Sequence, residues 1–291
     1  MTIVEVGPRD GLQNEPRQIP TADKIVLIDA LSACGLRRIE AASFVSPRAV
    51  PQMADGAAVM AGITRAPGVA YAALAPNLRG YEAARAAGVD EVAVFASASE
   101  GFSRRNIKAS IAESLARFAP IAEAAKNDGI RLRGYVSCVV ACPYDGRIAP
   151  AAVAEVVAAL SALGCAEISL GDTIGRGTPA TIEVMLSAVL EVLPPDRLAG
   201  HFHDTNGRAL ESVMVAWEHG IRVFDAAVGG LGGCPFAPGA TGNLATGALV
   251  DWAAARGIAT GIDRDRLATA EIMARALRGD RHAGDAPAHS P

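Results

Sequence analysis

Eight short β-rich runs alternate with helical stretches along this chain, and that alternation constrains the fold more than any other feature. The strand candidates are Ile3–Val6, Arg38–Ala41, Ala70–Ala75, Glu91–Ser97, Arg131–Val140, Glu167–Leu170, Leu198–His203 and Val223–Val228. Ala-rich amphipathic segments lie near 22–34, 54–62, 78–87, 107–128, 150–163, 179–193, 208–219 and 244–256, with one more helix near 263–278. Thr21 and Asn77 stand at N-caps, Pro150 and Pro179 near first turns, and Gly35, Gly88, Gly129, Gly164 and Gly220 at C-terminal ends. Parallel neighbours need crossover helices, so the pattern predicts a parallel sheet in an α/β protein. An open sheet could hold eight strands too. The polar residues choose, because they cluster just after strands one, two, six, seven and eight, and a closed (β/α)8 TIM barrel brings those ends onto one face. One barrel domain over 1–278, including an extra C-terminal helix, is expected. A flexible tail is expected over 279–291.

Composition excludes several classes of function. With 51% hydrophobic and 20% charged residues the chain is not disordered. Its net charge of −4 gives no general case for binding nucleic acid, so a polyanionic ligand must meet a local basic patch. No apolar run reaches the roughly 18 residues of a membrane span, and no secretory signal precedes the first strand. Five cysteines (Cys34, Cys138, Cys142, Cys165 and Cys234) are too few for a disulfide framework in a chain this long. A soluble, cytoplasmic protein with no nucleic-acid or membrane partner is expected.

Three stretches carry chemistry. In Leu198-Ala-Gly-His-Phe-His-Asp-Thr-Asn206, side chains alternate across the strand, so His201 and His203 point the same way at its end. They can grip one ion or serve as two hydrogen-bonded structural histidines; only five histidines exist in the chain, which favours the metal. After the first strand, Val6-Gly-Pro-Arg9-Asp10-Gly11-Leu12-Gln13 pairs a hard oxygen ligand with a planar, permanent cation. The alternative there is an ordinary loop with a surface ion pair. After the eighth strand, a glycine-rich loop presents one thiol, Cys234, followed by the carboxamide of Asn243. Pro235 spoils any G-x-G-x-x-G reading of that loop. Flanking Gly and Pro argue against a packed core position for the thiol. Glu40 and Asp172 end strands two and six, where a barrel puts catalytic carboxylates, although either could instead hold an arginine or cap a helix.

At these residues the sequence resembles the hydroxymethylglutaryl-coenzyme A lyases, barrel metal-dependent lyases with an Arg-Asp motif after strand one. The matching stretches are Val4–Glu15, Glu40–Met53, Arg133–Tyr144, Ile168–Pro179, His201–Gly207 and Gly230–Ala245. The glycine–cysteine loop is the most specific, because Claisen synthases of the wider group share the other features but are not expected to carry it. The resemblance implies cleavage of 3-hydroxy-3-methylglutaryl-CoA to acetyl-CoA and acetoacetate. It makes Asp10, His201, His203 and Asn243 ligands of a divalent cation, Mg²⁺ or Mn²⁺. Arg9 becomes the essential cation, Cys234 the proton-transferring thiol, and Glu40 and Asp172 parts of the polar network, with Asp172 the candidate base, acting through His201. Gln13 is placed beside the substrate.

Two departures stand out. Asn206 replaces an aromatic of the animal enzymes, and no cysteine is present in the tail for a disulfide between subunits. A homodimer is expected. Lyases for longer branched 3-hydroxyacyl-CoA substrates, and synthases running the bond the other way, remain rivals. Coenzyme A phosphates need cations, and Arg104, Arg105 and Asn106 are expected to open the long helix after strand four on the active face, or else to form a solvated charge run.

Overall fold

The structure is a computed structural model that describes residues 1–232 and 242–278. Its strands are β1 (Thr2–Glu5), β2 (Arg38–Ser43), β3 (Ala70–Leu74), β4 (Glu91–Ser97), β5 (Arg131–Ser137), β6 (Ala141–Cys142), β7 (Gly146–Arg147), β8 (Glu167–Asp172), β9 (Leu198–Phe202) and β10 (Val223–Ala226). Eight of them close into a parallel barrel in the order β1-β10-β9-β8-β5-β4-β3-β2, with β6 and β7 forming a separate hairpin. The helices are α1 (Thr21–Ser32), α2 (Gly56–Gly62), α3 (Leu78–Ala86), α4 (Glu100–Ile107), α5 (Ile111–Asp128), α6 (Pro150–Ala162), α7 (Pro179–Leu190), α8 (Ala209–Glu218), α9 (Thr246–Ala254) and α10 (Arg264–Arg278). The expected TIM barrel with its added C-terminal helix is therefore present. In α10, Leu267, Ala270, Ala274 and Leu277 are buried at helical spacing, forming an apolar stripe on the barrel.

The barrel floor is ionic. Arg38 reaches both oxygens of Glu167 and both of Glu91 at 2.9 Å, and Arg133 Nε donates to Glu167 at 2.7 Å. Arg38, Glu91 and Glu167 begin their strands, Arg133 stands two residues into β5, and all four meet inside the barrel. Such buried pairs contribute little net stability compared with an apolar layer, but deleting one partner strands the other charge.

Local chemistry moves several expected boundaries. Strand five stops at Ser137 because Cys138 adopts a left-handed backbone (φ 62°), and the chain then turns into the β6–β7 hairpin. The helix expected near 107–128 begins only at Ile111, as α5, and a separate short helix, α4, precedes it. Ser99 caps α4, Lys108 breaks it at φ 54°, and Ser110 with Glu113 forms a capping box that starts α5. Arg104 and Arg105 thus sit in the last turn of α4 and do not open the long helix. Thr21 is not an N-cap: its hydroxyl donates to Asp55 at 2.7 Å, and Pro20 precedes the helix. Cys34 follows α1 rather than lying in it.

Candidate active site

The site begins where β1 ends. The carbonyl of Val6 accepts the backbone N–H groups of Arg9, Asp10 and Gly11, coiling Gly7–Gly11 into one wide turn that aims Arg9 and Asp10 at the barrel mouth. Glu5 fixes this turn from below. Its carboxylate accepts from Gly7 N and Val228 N at 2.8 Å each and from the Thr246 hydroxyl at 2.6 Å, joining the loops after β1 and β10. Gly7 is required there, since a Cβ would lie 2.6 Å from the Glu5 oxygen.

Arg9 holds Asp10 at 2.7 Å and Glu40 at 2.6 Å. Glu40 accepts from the Tyr135 hydroxyl at 3.2 Å, which in turn accepts from Arg133 at 2.7 Å. Arg133 grips Asp225 at 2.7 Å, Asp225 meets His201 Nδ1 at 3.1 Å, and His201 Nε2 lies 4.0 Å from Asp10. Seven side chains, five from the four strands β2, β5, β9 and β10 and two from the turn after β1, therefore form a closed ring in which cations and carboxylates neighbour one another. Burial works against the charge on Arg9, but Glu40 and Asp10 outweigh it and raise its pKa. Burial likewise opposes ionisation of Asp10 and of Asp225. Arg9 and the two histidines hold the first low; Arg133 and His201 hold the second low.

The histidines differ. Burial would lower the pKa of His201, but Asp225 raises it by accepting from Nδ1–H. That bond leaves Nε2 as the free lone pair. His203, past the end of β9 in a bridge with Asn243, is pushed down to about 4 by burial and by the neighbouring His201, so it is neutral at pH 7. The two Nε2 atoms are 3.3 Å apart. Ligating atoms of Asp10, His201 and His203 all lie within 4.8 Å of one another. Two imidazole nitrogens and an ionised carboxylate converging this closely, one imidazole already oriented by a carboxylate, are a donor set that fits a divalent cation.

Of the other expected residues, Gln13 donates to Asp10 at 3.1 Å. Asn243 is adjacent but turns its amide nitrogen to Asp10 (2.8 Å) and to the Leu231 carbonyl (3.2 Å). Asp172 ends β8, where its carboxylate accepts from Arg176 N and Gly177 N, and burial raises its pKa. Arg104, Arg105 and Asn106 are exposed on α4, outside the ring. There Arg104 pairs with Glu100 at 3.4 Å and Arg105 stacks on Tyr144 of the β6–β7 hairpin, 4.3 Å from its centroid. Cys234 lies outside the described residues.

Sequence reasoning missed Asp225, Arg133, Tyr135 and Glu5. Asp225 is the sole charge in the apolar run Val223–Val228, and Arg133 and Tyr135 share the two-residue period of an inward strand face. Either signal could have found them. Replacing Asp225 with Asn is expected to weaken divalent-cation binding about 10–100-fold, as loss of a ligand's orienting partner does; calorimetric titration with Mn²⁺ checks this. Burial lifts Glu5 to about 7. Its raised pKa adds stability below about pH 4.5 that is lost as pH rises through 7. Glu5→Gln should therefore flatten the fall in urea-unfolding free energy between pH 5 and 8, by on the order of 2–3 kcal/mol.

A closed parallel barrel whose mouth carries an Arg-Asp turn and a His-x-His strand end defines the class. Residues 1–273 match the HMGL-like family, and the chain belongs to it. A relative from Pseudomonas aeruginosa, a 3-hydroxy-3-isohexenylglutaryl-CoA/hydroxymethylglutaryl-CoA lyase, is 56% identical over 92% of this chain and 89% of its own. The crystal structure of the HMG-CoA lyase from Brucella melitensis superposes with a TM-score of 0.95 at 62% identity, covering 96% of this chain and 99% of that one. An HMG-CoA lyase from Acinetobacter baumannii, in complex with coenzyme A and 3-methylmalate, gives 0.91 at 41% identity over 100% and 97%. With these relatives, the chain is a carbon–carbon lyase.

Proposed function

We propose that this lyase cleaves 3-hydroxy-3-methylglutaryl-CoA into acetyl-CoA and acetoacetate. The observation that carries the proposal is the donor triangle Asp10–His201–His203 beside the Arg9 guanidinium. The reaction must remove a proton from a tertiary hydroxyl, break a carbon–carbon bond and reprotonate an enolate. A Mg²⁺ or Mn²⁺ ion held by Asp10, His201 and His203, with Asn243 as the fourth ligand after its amide turns over, would supply the Lewis acidity that eases hydroxyl ionisation.

The chain's own groups do the rest. Arg9 stabilises the thioester enolate oxygen, where the greatest charge develops. Its Nε is buried without a partner, which leaves one donor of its planar fork free for substrate. Glu40 and Asp10 hold that fork in place. Asp225 fixes the ring of His201 through Nδ1, so its other nitrogen keeps one orientation. Asp172, whose charge couples to His201, is assigned as the base for the hydroxyl; with Nδ1 of His201 held by Asp225 and Nε2 turned to the cation, that histidine has no nitrogen left to relay the proton. Cys234 is assigned as the acid on the enolate carbon, on the sequence of its loop.

Binding of an acyl-CoA is supported by the Acinetobacter relative, which holds coenzyme A. Arg104, Arg105 and Asn106 form the proposed cationic contact for the phosphates. Among the described residues no helix is long and apolar enough to cross a membrane, and the four cysteines form no disulfide; the cytoplasmic location is proposed from the sequence, and fractionation of the host cell tests it. A homodimer is proposed from the family resemblance; light scattering tests it. The deciding assay mixes protein, Mg²⁺, a thiol and hydroxymethylglutaryl-CoA. Acetoacetate is expected, and it should disappear with excess chelator. The Pseudomonas relative favours a second reading, a longer branched 3-hydroxyacyl-CoA, so the isohexenyl homologue belongs in the same assay.

A further inference from the structure

Strand β2 contains an irregularity that decides where one hydroxyl points. Glu40 pairs with Ala72, but Ala42 pairs with Ala73 and Ser43 with Leu74, so three residues of β2 lie opposite two of β3. The bulge falls at Ala41. Glu40 faces the barrel interior, since it bonds Arg9 and Tyr135. In an unbroken strand Ser43, three residues later, would face the opposite side. The extra residue reverses that parity, and bulges are a common device for re-aiming side chains near active sites.

The register across the next strands gives the same answer. Arg133 and Tyr135 face the interior, and they pair with Ala93 and Phe95 of β4. Ala93 pairs with Leu74, and Leu74 with Ser43. Paired residues of parallel strands share a face, so Ser43 faces the same interior space as Tyr135. Leu74, Ala93 and Tyr135 form an apolar cluster of their own, with Val45 and Phe95 packed on it, separate from the main core.

Ser43 is 2% exposed, and its Oγ has no hydrogen-bond partner. Only four buried side-chain atoms of the described residues are in this state, and the other three are Arg9 Nε, Glu40 Oε1 and His203 Nδ1, all of the site. A buried hydroxyl without a partner is costly in the free protein. A ligand that supplies the missing partner removes that cost.

We propose that Ser43 contacts substrate, donating a hydrogen bond from its Oγ to an oxygen of the acyl group of the bound acyl-CoA. The proposal rests on the lyase reading above and extends it to a residue outside the ring. The hydroxyl serves the acyl half of the ligand and not the nucleotide half, because it lies on the interior face shared with Tyr135 while the exposed cations lie outside on α4.

The test is Ser43→Ala, studied with Mg²⁺ present. With no partner lost in the free protein, Tm should stay the same or rise, whereas a structural hydroxyl would make it fall. The value of kcat/KM for hydroxymethylglutaryl-CoA should drop about tenfold, the scale of one hydrogen bond of about 1.4 kcal/mol. In calorimetric titrations, free 3-hydroxy-3-methylglutarate should bind about tenfold more weakly to the variant, and coenzyme A alone should bind equally to both proteins. A fall in Tm, unchanged diacid affinity, or an equal weakening of coenzyme A binding each overturns the proposal. A wild-type protein that binds the diacid but forms no acetoacetate overturns the lyase reading instead, and the diacid titrations still decide the role of Ser43.

Discussion

Arg9→Lys is expected to lower kcat for hydroxymethylglutaryl-CoA cleavage by about 10²–10³ with a much smaller change in KM, in line with the loss of one preorganised donor at a developing oxyanion. Lysine keeps the positive charge. It cannot, however, reach Asp10 at 2.7 Å and Glu40 at 2.6 Å with one planar group and still offer a third donor. The interaction that matters strengthens as the enolate forms, so the transition state suffers more than the ground state. Steady-state kinetics decide the matter. Near-normal kcat with a raised KM would make Arg9 a binding residue only. The fold should hold, because Glu40 retains its bond from Tyr135 and Asp10 its bonds from Gln13 and Asn243.

His203→Ala and Asp10→Asn should each weaken Mn²⁺ binding more than a hundredfold, beyond the 10–100-fold scale of an orienting partner, and reduce acetoacetate formation to background. Each removes one corner of a triangle whose donors lie within 4.8 Å. Far-ultraviolet circular dichroism should stay unchanged, since both residues lie past strand ends and not within the barrel's packed layers. Retained metal affinity in both variants would dismiss the ligand assignment. His203→Ala also removes the imidazole 3.3 Å from His201 Nε2, so a titration followed by histidine ¹⁵N shifts should show His201 still protonated at Nδ1, where Asp225 holds it.

The barrel and the Asp10–His201–His203 triangle were legible because both are written in local pattern. Eight alternations of strand and helix demand crossovers, and crossovers demand a parallel sheet. His201 and His203 share a face at a strand end by the period of two, and Asp10 follows the first strand in a turn with Gly7 and Gly11 on either side of the Arg-Asp pair. The short helix α4 was less legible, although Ser99 and Ser110 are both capping residues and the Ser110–Glu113 box stands in the sequence; the residue that separates α4 from α5, Lys108, is left-handed without being a glycine, which no local preference marks.

What the sequence determined by itself is the set of elements and the residues standing at their ends, because propensity, capping and periodicity act over a few residues. What only the tertiary structure decided is which of those ends meet. Asp225 acquires its role from the closure of β10 onto β9 and β1, which sets it between Arg133 and His201 from strands far away in the chain. Glu5 becomes a clamp only because the loops after the first and last strands become neighbours. Ser43 turns inward through a bulge that only the pairing with β3 reveals. Charges buried inside a barrel are assigned partners by ring closure, and closure is a long-range property that no local window of sequence contains.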